Sequence, residues 1–119
     1  MTQEEKDLLL KDLCSRLPYG VKVSTPDDVS RTITRMNIDR NLIEVGNYID
    51  DVYVLSDIKP YLFPLSSMTE EQIKEWRYTL SSDGNITYDT VDWCNENHLD
   101  YRGLIPMGLA IDCTNLNIY

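Results

Sequence analysis

Apolar residues recur at helical spacing from Leu9 through Leu13 to Leu17, with Leu10 beside them, and stop at Pro18, where a helix cannot continue. Thr2 and Glu5 precede this run at the spacing of a capping box, so the pattern predicts an amphipathic helix over Thr2–Arg16. The period then changes. After a Tyr19-Gly20 turn, Val21–Thr25 alternates, is rich in β-branched residues and is closed by Pro26-Asp27-Asp28, which reads as a strand. Val29–Ile38 suits a strand better than a helix, although its alternation is imperfect. Asn41–Val45 and Asp51–Leu55 are two further strand-like runs parted by Gly46-Asn47-Tyr48, so the middle of the chain is expected to form a meander of three or four antiparallel strands.

Pro60 and Pro64 forbid helix through Leu65, and Lys59–Ser67 reads as an extended apolar connector, with Pro60 to Leu65 as the hinge between two halves. Thr69 and Gln72 then form a second capping box, which Met68 and Ile73 can close as a hydrophobic staple. A helix follows over Thr69–Leu80 with Ile73, Trp76 and Leu80 on one face, and Ser81-Ser82-Asp83-Gly84 ends it, Gly84 being free to take the left-handed conformation. A third helix is expected over Thr87–Asn97, with Tyr88, Val91 and Cys94 or Leu99 turned inward, and Leu104–Ile111 reads as a final short turn of helix or strand. The fold class expected is α+β: a small twisted antiparallel sheet of three to four strands packed with an N-terminal helix and two or three C-terminal helices.

With 119 residues, 42% hydrophobic and 26% charged, the chain has the size and balance of one folded domain spanning residues 1–119. Its charge changes the functional picture more than the fold. The net charge is −9, with 8 basic against 11 acidic residues up to Lys59 and 3 against 9 from Pro60 onward. Such a surface repels phosphate backbones, so direct nucleic-acid binding is not expected and the partner expected is another protein. Cys14, Cys94 and Cys113 include no CxxC pair, which signals neither a disulfide framework nor a zinc ribbon and favours the cytoplasm. No signal-peptide pattern and no run of about 18 apolar residues occurs, and the single glycines form neither a GxGxxG nor a GxxxxGK[ST] phosphate cradle. No cofactor, metal or membrane is therefore called for.

Two sets of residues are candidates for function. Cys94 and His98 stand four apart, a spacing that shares one face of a helix although His98 falls where the expected helix ends, and Asp92 or Asp100 is placed to orient the imidazole, the arrangement a thiol nucleophile and its base require. The same pair with Cys113 and a carboxylate has the ligand types of a mixed zinc site, but one histidine and three scattered cysteines argue for a structural thiol and a helix-capping imidazole instead. The second set is aromatic. Eight tyrosines suit half-buried positions with a wet hydroxyl, and Tyr48, Tyr53, Tyr61 and Phe63 are the candidate partner-binding anchors within an acidic rim. Arg31, Arg35 and Arg40 cluster in the expected sheet, where a solvated outer face accounts for them, and the carboxylate pairs Asp27-Asp28, Asp50-Asp51 and Glu70-Glu71 fall in turns and a helix's first turn.

The segments Asp57–Glu71, Trp93–Asn97 and Asp100–Ile105 resemble segments of short uncharacterised proteins found in gut Bacteroidales and their prophages. The resemblance covers about the second half of the chain and implies a phage or mobile-element setting; it carries no catalytic residue. The leading expectation is a non-catalytic protein that binds a macromolecular partner. The alternatives are an acidic inhibitor that imitates DNA and blocks a host nucleic-acid enzyme, and a small thiol enzyme built on Cys94 and His98.

Overall fold

The computed structural model describes residues 1–46 and 51–119. Helix α1 spans Gln3–Arg16 and begins as its capping box requires: the Thr2 hydroxyl accepts from Glu5 N–H (3.1 Å) while Thr2 N–H donates to the Glu5 carboxylate (2.9 Å). Four strands follow: β1 (Lys22–Ser24), β2 (Ser30–Asn37), β3 (Leu42–Val45) and β4 (Val52–Val54), each antiparallel to the one before. This is the expected meander. The imperfect alternation of β2 has a structural cause, a register shift between Ile33 and Arg35. Ile33 is buried in the core and Met36 also packs against it, although they stand an odd number of residues apart, which a regular strand would forbid.

The sheet does not end there, and the expectation of three to four strands is too small. Lys59–Pro64 is a strand, β5, and two short strands, β6 (Leu99–Asp100) and β7 (Ile111–Asp112), pair with it in parallel, giving seven strands among the described residues, with the path β4-β3-β2-β1-β5-β6 and β7 off that path on β5. The stretch read as a hinge is therefore the strand that joins the two halves of the chain. Its prolines are tolerated because of the period of two. Residues 60, 62 and 64 turn their backbone groups toward the edge where β7 lies, and the bond found there joins Cys113 N–H to Leu62 O (2.9 Å), so neither proline has to donate. On the other edge Lys59 faces Ser24 of β1, and Phe63 N–H donates to His98 O (2.8 Å) beside β6.

Between those two pairings the ladder is completed by a side chain. The β1–β5 register sets Lys22 opposite Tyr61, but Lys22 N–H donates to the Tyr119 hydroxyl (2.8 Å), which donates in turn to Tyr61 O (2.9 Å). Leu9 and Leu13 of α1 pack on the sheet with Val21, Val23, Ile33, Ile43, Val45 and Leu62, and Leu104, Leu109 and Ala110 close this core.

The remaining helices are α2 (Glu70–Thr79) and α3 (Tyr88–Glu96). Helix α3 contacts α1 and β6, whereas α2 packs chiefly on α3, so the expected packing of both helices on the sheet holds for neither in full. Helix α2 starts at the Thr69–Gln72 capping box and ends before Gly84, whose φ of +79° is the left-handed turn expected of it. No helix among the described residues is long and apolar enough to cross a membrane.

Candidate functional site

The thiol pair does not assemble. Helix α3 stops at Glu96, and His98 follows in the left-handed conformation (φ +58°), which takes its imidazole off the helical face that carries Cys94. Among the described residues no hydrogen bond joins the two. Burial raises the pKa of Cys94 despite the positive field of Arg16, the reverse of what a thiolate nucleophile needs. The Asp100 carboxylate does not orient the imidazole either: its two oxygens accept from Leu104 N–H (2.8 Å) and Ile105 N–H (2.9 Å), and Asp92 is exposed. His98 instead stacks on Tyr119, with ring centroids 3.6 Å apart and planes 9° from parallel. Burial, reinforced by Arg16 and Lys22, lowers its pKa from 6.5 to about 4. Among the described residues no group of three His, Cys, Asp or Glu side chains is arranged to hold a metal.

The aromatic candidates are placed as follows. Tyr48, like Asp50, lies outside the described residues. Tyr61 is 8% exposed, because its position in the middle of β5 turns it into the interior. Tyr53 is half-buried against the core, and Phe63 is half-buried with its ring 6.0 Å from that of Tyr119. None of these three offers the exposed ring expected of an anchor.

The buried polar chemistry is concentrated elsewhere. On α1 the inward stripe Leu9, Asp12, Leu13 and Arg16 carries an opposite pair of charges at i, i+4, and both are fully buried. Arg16 Nε donates to Asp12 (2.9 Å) and its Nη2 to Leu99 O (2.6 Å), while Arg102 Nε donates to the other Asp12 oxygen (3.1 Å). Arg102 continues to Ser15 Oγ and to the Tyr101 hydroxyl, which donates to Asn95 (2.8 Å). Burial raises the pKa of Asp12 against the pull of both guanidinium groups. The network joins α1, α3 and the segment after β6. Its central ion pair is buried and its outer members, Ser15, Tyr101 and Arg102, are half-buried; every group but Arg16 Nη1 is spent on another part of the fold, so the network serves architecture. The signal for it was present in the sequence, as two opposite charges placed on the leucine stripe of α1.

An open groove of about 720 Å³ runs along β2, lined among others by Leu17, Arg35, Met36, Ile38 and Glu44. Its one hydroxyl, on Thr34, is committed to the Glu44 and Gly46 carbonyls.

The exposed apolar chemistry lies at the α2–α3 junction. Thr87 caps α3, and its hydroxyl also donates to Thr79 O (2.8 Å), while Thr79 Oγ1 lies 3.0 Å from Thr90 Oγ1; Ser81 N–H donates to Asn85 O (2.9 Å). This clasp fixes the last turn of α2 against the first turn of α3. Flanking it, Tyr78 is 90%, Ile86 69% and Tyr88 92% exposed. Tyr88, expected on the inward face, points outward, because the inward positions of the first turn of α3 are taken by Thr87 and Thr90. Helix α2 buries none of its residues; Ile73 and Trp76 stop half-buried, and Trp93 of α3 donates from its indole to Glu75 (3.3 Å). Apolar side chains left to water on residues that flank a hydrogen-bonded clasp are the chemistry of a docking surface, with tyrosine a residue type enriched at such surfaces. No protein-family model, curated protein or solved structure matches this chain.

Proposed function

We propose that this chain is a non-catalytic interaction module that seats a protein partner on the outer surface of the α2–α3 junction, in the phage or mobile-element setting its resemblance implies. The observation that carries the reading is the exposure of Tyr78 and Tyr88 on either side of a fully hydrogen-bonded threonine clasp. The clasp fixes the backbone that carries the rings, so binding would order little beyond the side chains themselves. The partner-binding residues are accordingly Tyr78, Ile86 and Tyr88 rather than Tyr53, Tyr61 and Phe63. The inhibitor that imitates DNA remains the second reading, favoured by the exposed carboxylates of the same region, and it differs in having a nucleic-acid enzyme as its target. The thiol enzyme has no such support.

The test is a pull-down from nuclease-treated lysate of the native host, using tagged wild-type chain beside Tyr78→Ala/Tyr88→Ala. The expected result is a stoichiometric protein retained by the wild type and lost by the variant. Equal retention by both, or none by either, contradicts the proposal. Displacement of the retained protein by duplex DNA would select the second reading.

A further inference from the structure

We infer that the partner of the Tyr78–Ile86–Tyr88 surface is a protein face that carries lysine and arginine side chains around apolar pockets; this rests on the interaction surface proposed above. The surface itself is apolar, and the charges around it select what can approach. Residues 70–96 contain seven carboxylates against two cations, Lys74 and Arg77. All seven carboxylates are exposed, and none of the ion pairs among the described residues involves them. The carboxylates of this stretch are therefore unpaired and outnumber its two cations, in contrast to Asp12 and Asp27, which are paired with arginines.

That net negative charge disfavours three occupants. A nucleic acid or an anionic lipid surface would bring phosphates against it, and a second copy of the same face would set carboxylates against carboxylates. A basic protein face is attracted by the same field. Attraction of this kind speeds encounter and selects partners, while burial of the two phenol rings and the Ile86 side chain in pockets supplies the holding energy. The charges are exposed, so the attraction must weaken with salt.

The experiment is a titration of the full chain, followed by amide nitrogen–proton NMR, with an amphipathic lysine–leucine peptide and with its glutamate–leucine counterpart. The lysine peptide is expected to shift amides around residues 78–88 and to lose about tenfold in affinity between about 50 and about 300 mM salt. Tyr78→Ala/Tyr88→Ala is expected to weaken it by about tenfold while the rest of the spectrum stays that of the folded chain. Equal binding of the glutamate peptide, salt-independent binding, or shifts confined to the β2 groove would overturn the inference. The two failures are separable: a chain that captures a protein through Tyr78 and Tyr88 but ignores the lysine peptide keeps its docking surface and loses the basic partner. Absence of capture removes both.

Discussion

Helices α1 and α2 start alike, each with a threonine capping box and two acidic residues in the first turn, and then treat charge and apolar surface in opposite ways. Helix α1 carries Asp12 and Arg16 into the interior with Leu9 and Leu13; α2 leaves its charges in water and none of its apolar residues fully buried. The difference lies in what each helix meets. The charges of α1 find each other, the Leu99 carbonyl and Arg102, so every carboxylate oxygen of Asp12 has a guanidinium partner. Helix α2 meets little besides α3. Capping starts a helix, but burial decides whether the helix stabilises the fold or displays a surface.

The comparison is broken most severely at Asp12. Asp12→Ala leaves the buried Arg16 with no carboxylate, only the Leu99 carbonyl and the face of the Tyr101 ring, and is expected to cost about 3–5 kcal/mol in urea unfolding. Replacing the pair together, Asp12→Leu/Arg16→Met, should recover most of that loss, because the cost is that of an unpaired buried charge. A single substitution and the double one giving equal losses would contradict the assignment.

The next effect is one of pH. His98 is the chain's only histidine, and its pKa is lowered by burial from 6.5 to about 4 in the folded state. The unfolded chain therefore binds a proton that the folded chain refuses. Stability is at its full value above about pH 6.5 and falls as the pH drops toward 4, by about 3 kcal/mol in all. His98→Gln should flatten that part of the stability–pH curve, and the imidazole's own NMR titration should have its midpoint near pH 4. A midpoint near 6.5 would mean that the ring is solvated and not held under Tyr119.

Smaller effects separate the clasp from the surface it holds. Thr87→Ala removes the cap of α3 and its bond to Thr79 O, an expected loss of about 1 kcal/mol. Tyr78→Ala and Tyr88→Ala touch neither core nor clasp and should each stay within about 0.5 kcal/mol of the wild type. A drop of more than about 2 kcal/mol from either tyrosine would place it in the core and end the contrast between the two helices.

Much of the fold was legible in the sequence because its signals are local. The capping boxes at Thr2 and Thr69 and the runs of β1 to β4 lie where the pattern placed them. What was not legible is long-range. Strands β6 and β7 are two residues each, too short for any period, and exist only because β5 offers them an edge. β5 itself was hidden by its prolines, whose meaning depends on which edge each residue faces. The candidate site was legible least. Tyr88 falls at an apolar position of a helical pattern, and only the Thr79–Thr87 clasp, an interaction between two helices, decides that it faces water. Tyr61 shows the converse, an aromatic beside prolines that reads as exposed and is held in the middle of the sheet.

The account rests on the surface around Tyr78 being kept for a partner, and site-specific photo-cross-linking in the native host tests this most directly. A benzophenone amino acid is placed at position 78 or 88 of the full chain, with position 38 beside the β2 groove as the comparison. The account predicts one adduct, of a single larger mass, from positions 78 and 88 and none from 38. No adduct at 78 and 88, or the same adduct from all three, would contradict it.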